Sequence, residues 1–145
     1  MSKEKIYFCG SIRAGQGDQP IYKVMVDHMK AKYGDVLTYH VAEEVKTCDL
    51  HATEEEIFER DVAWLKEATC VVAEVTIPSL GVGYELGRGH DLGLPTLCLF
   101  RVSKDTPSKK LSAMIRGCKD FKVVDYETLE QAIAAIDEFF KSLKH

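Results

Sequence analysis

Short, nearly continuous apolar runs alternate along this chain with segments whose apolar residues recur every three or four positions. Ile6-Tyr7-Phe8-Cys9 is a strand-like run stopped by Gly10. Behind Pro20, a good first-turn residue, Ile21, Val24, Met25, His28 and Met29 fall at helical spacing. Val36-Leu37-Thr38-Tyr39 predicts a second strand, and Thr53-Glu54-Glu55-Glu56 is a capping box that opens a helix running to about Lys66. Cys70-Val71-Val72-Ala73-Glu74-Val75 predicts a third strand; its continuous apolar character marks it as central and covered on both faces. A Gly-rich turn leads into a helix from about Gly81 to Leu92, followed by a fourth strand at Pro95-Thr96-Leu97-Cys98-Leu99-Phe100 and a fifth at Phe121-Lys122-Val123-Val124. The last helix carries Leu129, Ala132, Ile133, Ile136, Phe140 and Leu143 on one face, and Val102 to Lys110 reads as a long mobile loop.

Repeated β-α units predict an α/β fold: a five-stranded parallel sheet with helices on both faces, one domain spanning residues 1–145. Ligands of such sheets bind beyond the carboxyl ends of the strands. That rule draws attention to Gly10 to Gly17 after the first strand, His40 onward after the second, and Thr76 to Glu85 after the third.

Composition narrows the classes of partner. With 46% hydrophobic and 29% charged residues over 145 positions, the chain can build a core without disulfides or a structural metal. A net charge of −4 without a dense basic stretch argues against polymeric nucleic acid. No apolar run is long enough for a membrane span, and Met1-Ser2-Lys3-Glu4-Lys5 lacks a signal-peptide pattern, so a soluble cytoplasmic protein is expected. The five cysteines, Cys9, Cys48, Cys70, Cys98 and Cys118, are odd in number and form no C-x-x-C; buried free thiols are expected, and zinc is not.

Two carboxylates stand out. Asp61 shares a helical face with Ile57, Phe58, Trp64 and Leu65, where a charge is costly unless it is paired or functional; solvent or Arg60 is the structural alternative. Glu85 lies in Gly81-Val82-Gly83-Tyr84-Glu85-Leu86-Gly87 near a predicted helix start, where backbone can approach a ligand and N–H groups favour anions. A glutamate there is equally well explained as a helix-dipole partner. The glycine spacing is neither a dinucleotide fingerprint nor a P-loop, and no Gly-x-Ser-x-Gly elbow exists. Two carboxylates converging at a sheet edge suit glycosidic-bond chemistry, with one as nucleophile and one as acid. Gly10-Ser11-Ile12-Arg13-Ala14-Gly15 offers N–H groups, a hydroxyl and a guanidinium for a phosphate, or is simply a solvated loop. Tyr7 reads as a core aromatic whose hydroxyl could orient a carboxylate, and His40 as a surface histidine or a base.

Taken together, Tyr7-Phe8-Cys9-Gly10-Ser11-Ile12-Arg13, the stretch from Val72 to Gly87, and Leu111-Ser112-Ala113-Met114-Ile115-Arg116-Gly117 resemble the 2′-deoxynucleoside 5′-monophosphate N-glycosidases of the nucleoside 2-deoxyribosyltransferase superfamily. The resemblance runs from Ile6 to about Tyr126. It implies a Rossmann-like domain, hydrolysis of a deoxynucleoside monophosphate to free base and 2-deoxyribose 5-phosphate, and no cofactor or catalytic metal. Glu85 would be the nucleophile, Asp61 the acid and base, and Tyr7 the residue that orients Glu85. Gly10, Ser11, Ile12 and Arg13 would line the sugar-phosphate pocket, with Ser79 and Gly81 on the phosphate and His40 near the base. The resemblance also implies a homodimer in which Ser112 and Met114 reach the neighbouring site, with the nucleus as a further compartment. On this reading the apolar stripe should raise the Asp61 pKa while Glu85 stays ionised. A deoxyribosyltransferase and a nucleotide-binding module without turnover are the competing functions. Arg13, Ser79 and Ser112 weigh against the transferase, which has no need of a phosphate pocket. The segment from Glu43 to Glu55 departs most from the pattern and leaves the base open.

Overall fold

A computed structural model describes residues 3–12, 18–42, 51–105 and 110–143. In chain order the elements are β1 (Glu4–Gly10), α1 (Gln19–Lys32), β2 (Gly34–Val36), a 3-10 turn (Tyr39–Ala42), α2 (Glu54–Glu67), β3 (Cys70–Glu74), α3 (Leu80–Asp91), β4 (Thr96–Arg101), α4 (Ala113–Arg116), β5 (Phe121–Tyr126) and α5 (Leu129–Ser142). All strands are parallel, in the order β2-β1-β3-β4-β5. The sequence therefore winds outward in both directions from β1 and β3, and the edge between their carboxyl ends, where Gly10 pairs with Glu74, is the switch point of the sheet.

Strand alternation divides the core into two layers. Ile6 and Phe8 of β1, Cys70 and Val72 of β3, and Leu97 and Leu99 of β4 pack with Met25 and Met29 of α1 and Ile136 and Phe140 of α5. The alternate residues, Tyr7, Cys9, Val71, Ala73 and Cys98, face Leu65 of α2 and Val82 and Leu86 of α3. All five residues of β3 are buried, as its apolar run predicts. The Thr53–Glu56 capping box is present at the start of α2. Pro20 stands in the first turn of α1, and Thr128 with Gln131 forms a second capping box that opens α5.

Two elements differ from expectation. β2 begins two residues earlier than predicted and ends at Val36. Thr38 explains the stop: its Oγ1 accepts from the Phe8 N–H at 2.8 Å and donates to the Phe8 carbonyl at 2.7 Å, so a side chain takes the ladder position that a longer strand would fill. At the other end, a Cβ on Gly34 would lie 2.0 Å from the Glu4 carbonyl oxygen, so only glycine lets β2 enter beside β1. The second difference is α4, four residues capped by Ser112 inside a stretch with no helical periodicity.

Parts of two predicted loops, with Arg13 and Cys48, lie outside the described residues, as do 106–109 of the expected Val102–Lys110 loop. The described cysteines are all free thiols; Cys9, Cys70 and Cys98 are buried and Cys118 is half-buried. Among the described residues, no helix is long and apolar enough to cross a membrane.

Thr38→Val keeps the shape of the side chain and leaves both Phe8 backbone groups buried without a partner. Urea denaturation of this variant is expected to show a loss of about 1–3 kcal/mol; a loss under about 0.5 kcal/mol would mean that Thr38 does not hold the β1 edge.

Candidate active site

The switch point is hollow. A cavity of about 590 Å³ opens there, with Tyr7, Gly10, Ser11 and Ile12 contributed by the end of β1. α2 supplies Ile57, Phe58 and Asp61, and the start of α3 supplies Ser79, Gly81, Tyr84 and Glu85. Part of the α2 apolar stripe is thus cavity wall rather than core: Leu65 is buried, whereas Phe58 is 50% exposed and lies 5.9 Å from the Tyr84 ring. β1 can approach this closely because residue 10 is glycine; a Cβ there would sit 2.8 Å from the Tyr22 ring. The Tyr22 hydroxyl donates to the Ser11 carbonyl at 3.3 Å and fixes the turn that follows.

Glu85 falls in the second turn of α3, whose first turn holds no acidic residue. The dipole-partner reading therefore fails, and a different arrangement accounts for this carboxyl. The Tyr7 hydroxyl, from the adjacent face of β1, donates to Glu85 Oε2. Burial pushes the Glu85 pKa up to about 7; the Tyr7 hydrogen bond opposes the rise and the Asp61 charge adds to it. Burial and the Glu85 charge together push the Tyr7 phenol far above its ordinary range, so it remains a donor.

Asp61 reaches the same cavity but is held from behind. Arg60 Nε donates to Asp61 Oδ1 at 2.9 Å, and Arg60 Nη2 lies 2.9 Å from the same oxygen. The guanidinium stacks 4.9 Å from the Trp64 ring and donates to His40 Nε2 at 3.3 Å. The expectation that Glu85 stays ionised therefore needs correction: it is the carboxyl driven up by burial, while Asp61 has Arg60, its structural alternative partner, as a cationic neighbour. His40 is buried in the 3-10 turn beside Trp64 and does not line the cavity; it touches the site through Arg60.

At the mouth, Ser79 caps α3 and its Oγ accepts from the Val82 N–H at 3.3 Å. Helix geometry leaves the N–H groups of Leu80 and Gly81 without intrahelical acceptors, and both residues line the cavity. Among the described residues, Ser79 Oγ alone lies within 4 Å of a Cβ built on Gly81. Ser112 and Met114 lie elsewhere. They border a second cavity of about 700 Å³ that shares Ser79 and Leu80 with the first, so one chain alone does not bring them to Glu85. Leu80 and Met114 are 97% and 83% exposed.

Sequence reasoning named Arg60 as the alternative partner of Asp61, which the structure shows, but missed the Trp64 and His40 contacts that hold it and the brace below the site. Glu74, at the end of β3, is buried and accepts from the Tyr126 hydroxyl at 2.5 Å and from the Thr76 N–H and hydroxyl at 2.8 Å each. A glutamate within a fully buried strand was the available signal.

A family profile described as nucleoside 2-deoxyribosyltransferase matches residues 6–135. The chain belongs to the nucleoside 2-deoxyribosyltransferase family. Within that family it is 48% identical to the 5-hydroxymethyl-dUMP N-hydrolase of Mus musculus over 143 residues, covering 94% of this chain and 80% of the mouse protein. It is 47% identical to a putative 2′-deoxynucleoside 5′-phosphate N-hydrolase 1 of Nematostella vectensis, with 96% and 95% covered. Two solved structures share the nucleoside 2-deoxyribosyltransferase-like fold seen here at low identity. BlsM superposes with a TM-score of 0.75 at 18% identity, over 97% of this chain and 91% of its own. The Clostridium botulinum CMP N-glycosidase BcmB gives 0.66 at 14%, over 93% and 99%.

The balance of forces on Glu85 predicts shifts of opposite sign. Tyr7→Phe removes a stabilising donor and should move the Glu85 pKa above 7, whereas Asp61→Asn removes a repelling charge and should move it below. Carbon-detected NMR titration of the glutamate carboxyls reads both; equal or same-sign shifts would contradict the assigned causes.

Proposed function

We propose that this chain hydrolyses the N-glycosidic bond of 2′-deoxynucleoside 5′-monophosphates, releasing free base and 2-deoxyribose 5-phosphate. The observation that carries the reading is the convergence of Glu85 and Asp61 in one cavity beside the exposed first-turn N–H groups of α3. The 48% identity to a protein named 5-hydroxymethyl-dUMP N-hydrolase supports the same substrate class.

The carboxylate of Glu85 attacks C1′ as the bond from C1′ to the base breaks. The electron pair of that bond goes to the base nitrogen, which takes a proton from Asp61. The step requires the single proton of the carboxyl pair on Asp61 and the charge on Glu85 at the moment of attack. Water then adds to C1′, gives a proton back to Asp61, and the ester to Glu85 opens to restore the carboxylate. Tyr7 keeps Oε2 oriented and its charge supported throughout. The 5′-phosphate, bound by Ser11, Arg13, Ser79 and the N–H of Gly81, contributes remote binding energy that holds the sugar over Glu85. Gly10 and Ile12 shape the sugar pocket. His40 acts on the base side through Arg60 and Asp61 rather than by contact.

The family description favours a second reading, transfer of deoxyribose to another base. The α3 N-terminus and Ser79 weigh against it, because a nucleoside has no anion for them to bind. In the assembled enzyme, Ser112 and Met114 of a second copy close the mouth, since the exposed Leu80 and Met114 border a cavity contiguous with the first. The nucleotide pool of cytoplasm and nucleus is the natural setting for this reaction.

Base release from deoxynucleoside monophosphates, ribonucleotides and unphosphorylated nucleosides tests the reading. Turnover is expected only with the 5′-phosphate, with losses on the order of 10³-fold or more for Glu85→Ala and about 10²–10⁴-fold for Asp61→Asn. Release from nucleosides only when an acceptor base is present would assign the transferase instead. Mixing Glu85→Ala with Ser112→Ala chains should restore activity if sites are shared between copies, and should restore none if each chain works alone.

The pH profile follows from the carboxyl pair. One proton must reside on the pair for delivery to the base, and that proton is lost as pH rises through about 7. The profile of kcat/KM should therefore fall above pH 7, by about tenfold per unit at its steepest. A rise through this range would mean that ionised Glu85 alone limits the reaction.

A further inference from the structure

We propose that His90, Cys118 and Asp120 form a binding site for a divalent transition-metal ion of the zinc class, separate from the cavity that holds Glu85. His90 lies in the last turn of α3, while Cys118 and Asp120 lie on the turn between α4 and β5. One ligand atom from each falls within 4.8 Å of the other two, and no other three such residues converge this way among the described residues. In a tetrahedral zinc site the bonds are about 2.0–2.3 Å long, so only small side-chain rotations separate this arrangement from a coordinated one.

The backbone presents the set. Gly117 ends α4 with its N–H donating to the Ala113 carbonyl at 2.8 Å, and the Phe121 N–H donates to the Cys118 carbonyl at 3.2 Å, closing a turn around Cys118 and Asp120. His90 is held against the edge of the Phe121 ring, with centroids 5.5 Å apart, and its Nε2 lies 2.8 Å from Asp120 Oδ2. A surface ion pair accounts for His90 and Asp120 but not for a half-buried thiol facing both. His28 and Asp137 make a similar pair at 2.7 Å with no cysteine in reach among the described residues, which supplies an internal control.

Thiolate with imidazole selects zinc, cobalt or nickel over magnesium or calcium, and three protein ligands leave a fourth position for water. On binding, the S–H bond of Cys118 breaks, its proton goes to solvent, and a metal–sulfur bond forms without change of oxidation state. The His90–Asp120 contact is exchanged for two bonds to the metal. Bound metal would tie the end of α3 to the segment carrying α4, Ser112 and Met114. The cysteine spacing alone predicted no zinc, because two of the three ligands are not cysteine and one comes from 28 residues earlier in the chain.

Cobalt and zinc titrations of the full chain test this. One cobalt per chain is expected, with a sulfur-to-cobalt charge-transfer band that zinc bleaches. Cys118→Ala should abolish the band, and both Cys118→Ala and His90→Ala should weaken zinc by at least about tenfold, while His28→Ala leaves it unchanged. Wild-type zinc affinity in Cys118→Ala, equal weakening in His28→Ala, or no saturable cobalt signal in the wild type would each overturn the site.

Discussion

The hydrogen bond from Tyr7 to Glu85 joins the first strand to the helix that follows the third, and the site is organised around it. It exists because a parallel sheet ordered β2-β1-β3-β4-β5 brings the end of β1 next to the end of β3. Strand alternation then turns Tyr7 toward α2 and α3, while its neighbours Ile6 and Phe8 pack on the opposite layer. A one-residue slip of β1 would send Tyr7 to the wrong face and leave Glu85 buried without a donor. The cost of burying Glu85 shows in a pKa driven up to about 7, which is the condition that lets a carboxyl both hold and release a proton near neutrality.

Asp61 and Glu85 belong to one chemical family but sit in different fields. Glu85 is enclosed by apolar wall and a phenol, whereas Asp61 is backed by a guanidinium that is itself stacked on Trp64 and bonded to His40. Both are half-buried, but one is raised by desolvation and the other is anchored by a cation. Within a nucleoside 2-deoxyribosyltransferase-like fold, that asymmetry gives a chemical basis for the two carboxyls to share one proton, as the proposed mechanism requires. The free N–H groups at the start of α3 add the positive field that a phosphate needs, without any net positive charge on the chain.

Much of the fold could be read from the sequence because its signals are local. The capping box at Thr53, Pro20, and the continuous apolar run of β3 each name an element within a few residues. β2 was misplaced because its limits are set by tertiary contacts: Gly34 against the Glu4 backbone, and Thr38 bonded to Phe8 thirty residues away. α4 was missed because four residues are too few to show a period. Asp61 and Glu85 could be singled out as residues that fit poorly into a purely structural account, while Tyr7 read as a core aromatic with a hydroxyl able to orient a carboxylate. The division of charge between the two carboxyls could not be read, since it depends on how deeply Glu85 is desolvated and on His40, twenty residues from Arg60 in the chain, helping to hold the guanidinium on Asp61. His40 shows the same limit: read as a surface histidine or as a residue near the base, it is buried behind Arg60.

The proposed covalent bond from Glu85 to C1′ is read most directly from the configuration at that carbon when methanol replaces water as acceptor. NMR of the methyl 2-deoxyriboside 5-phosphate formed from a β-configured nucleotide should show the β anomer, because two successive displacements retain configuration. The α anomer would mean a single displacement by solvent, and Glu85 would then be a base or an electrostatic partner rather than the nucleophile.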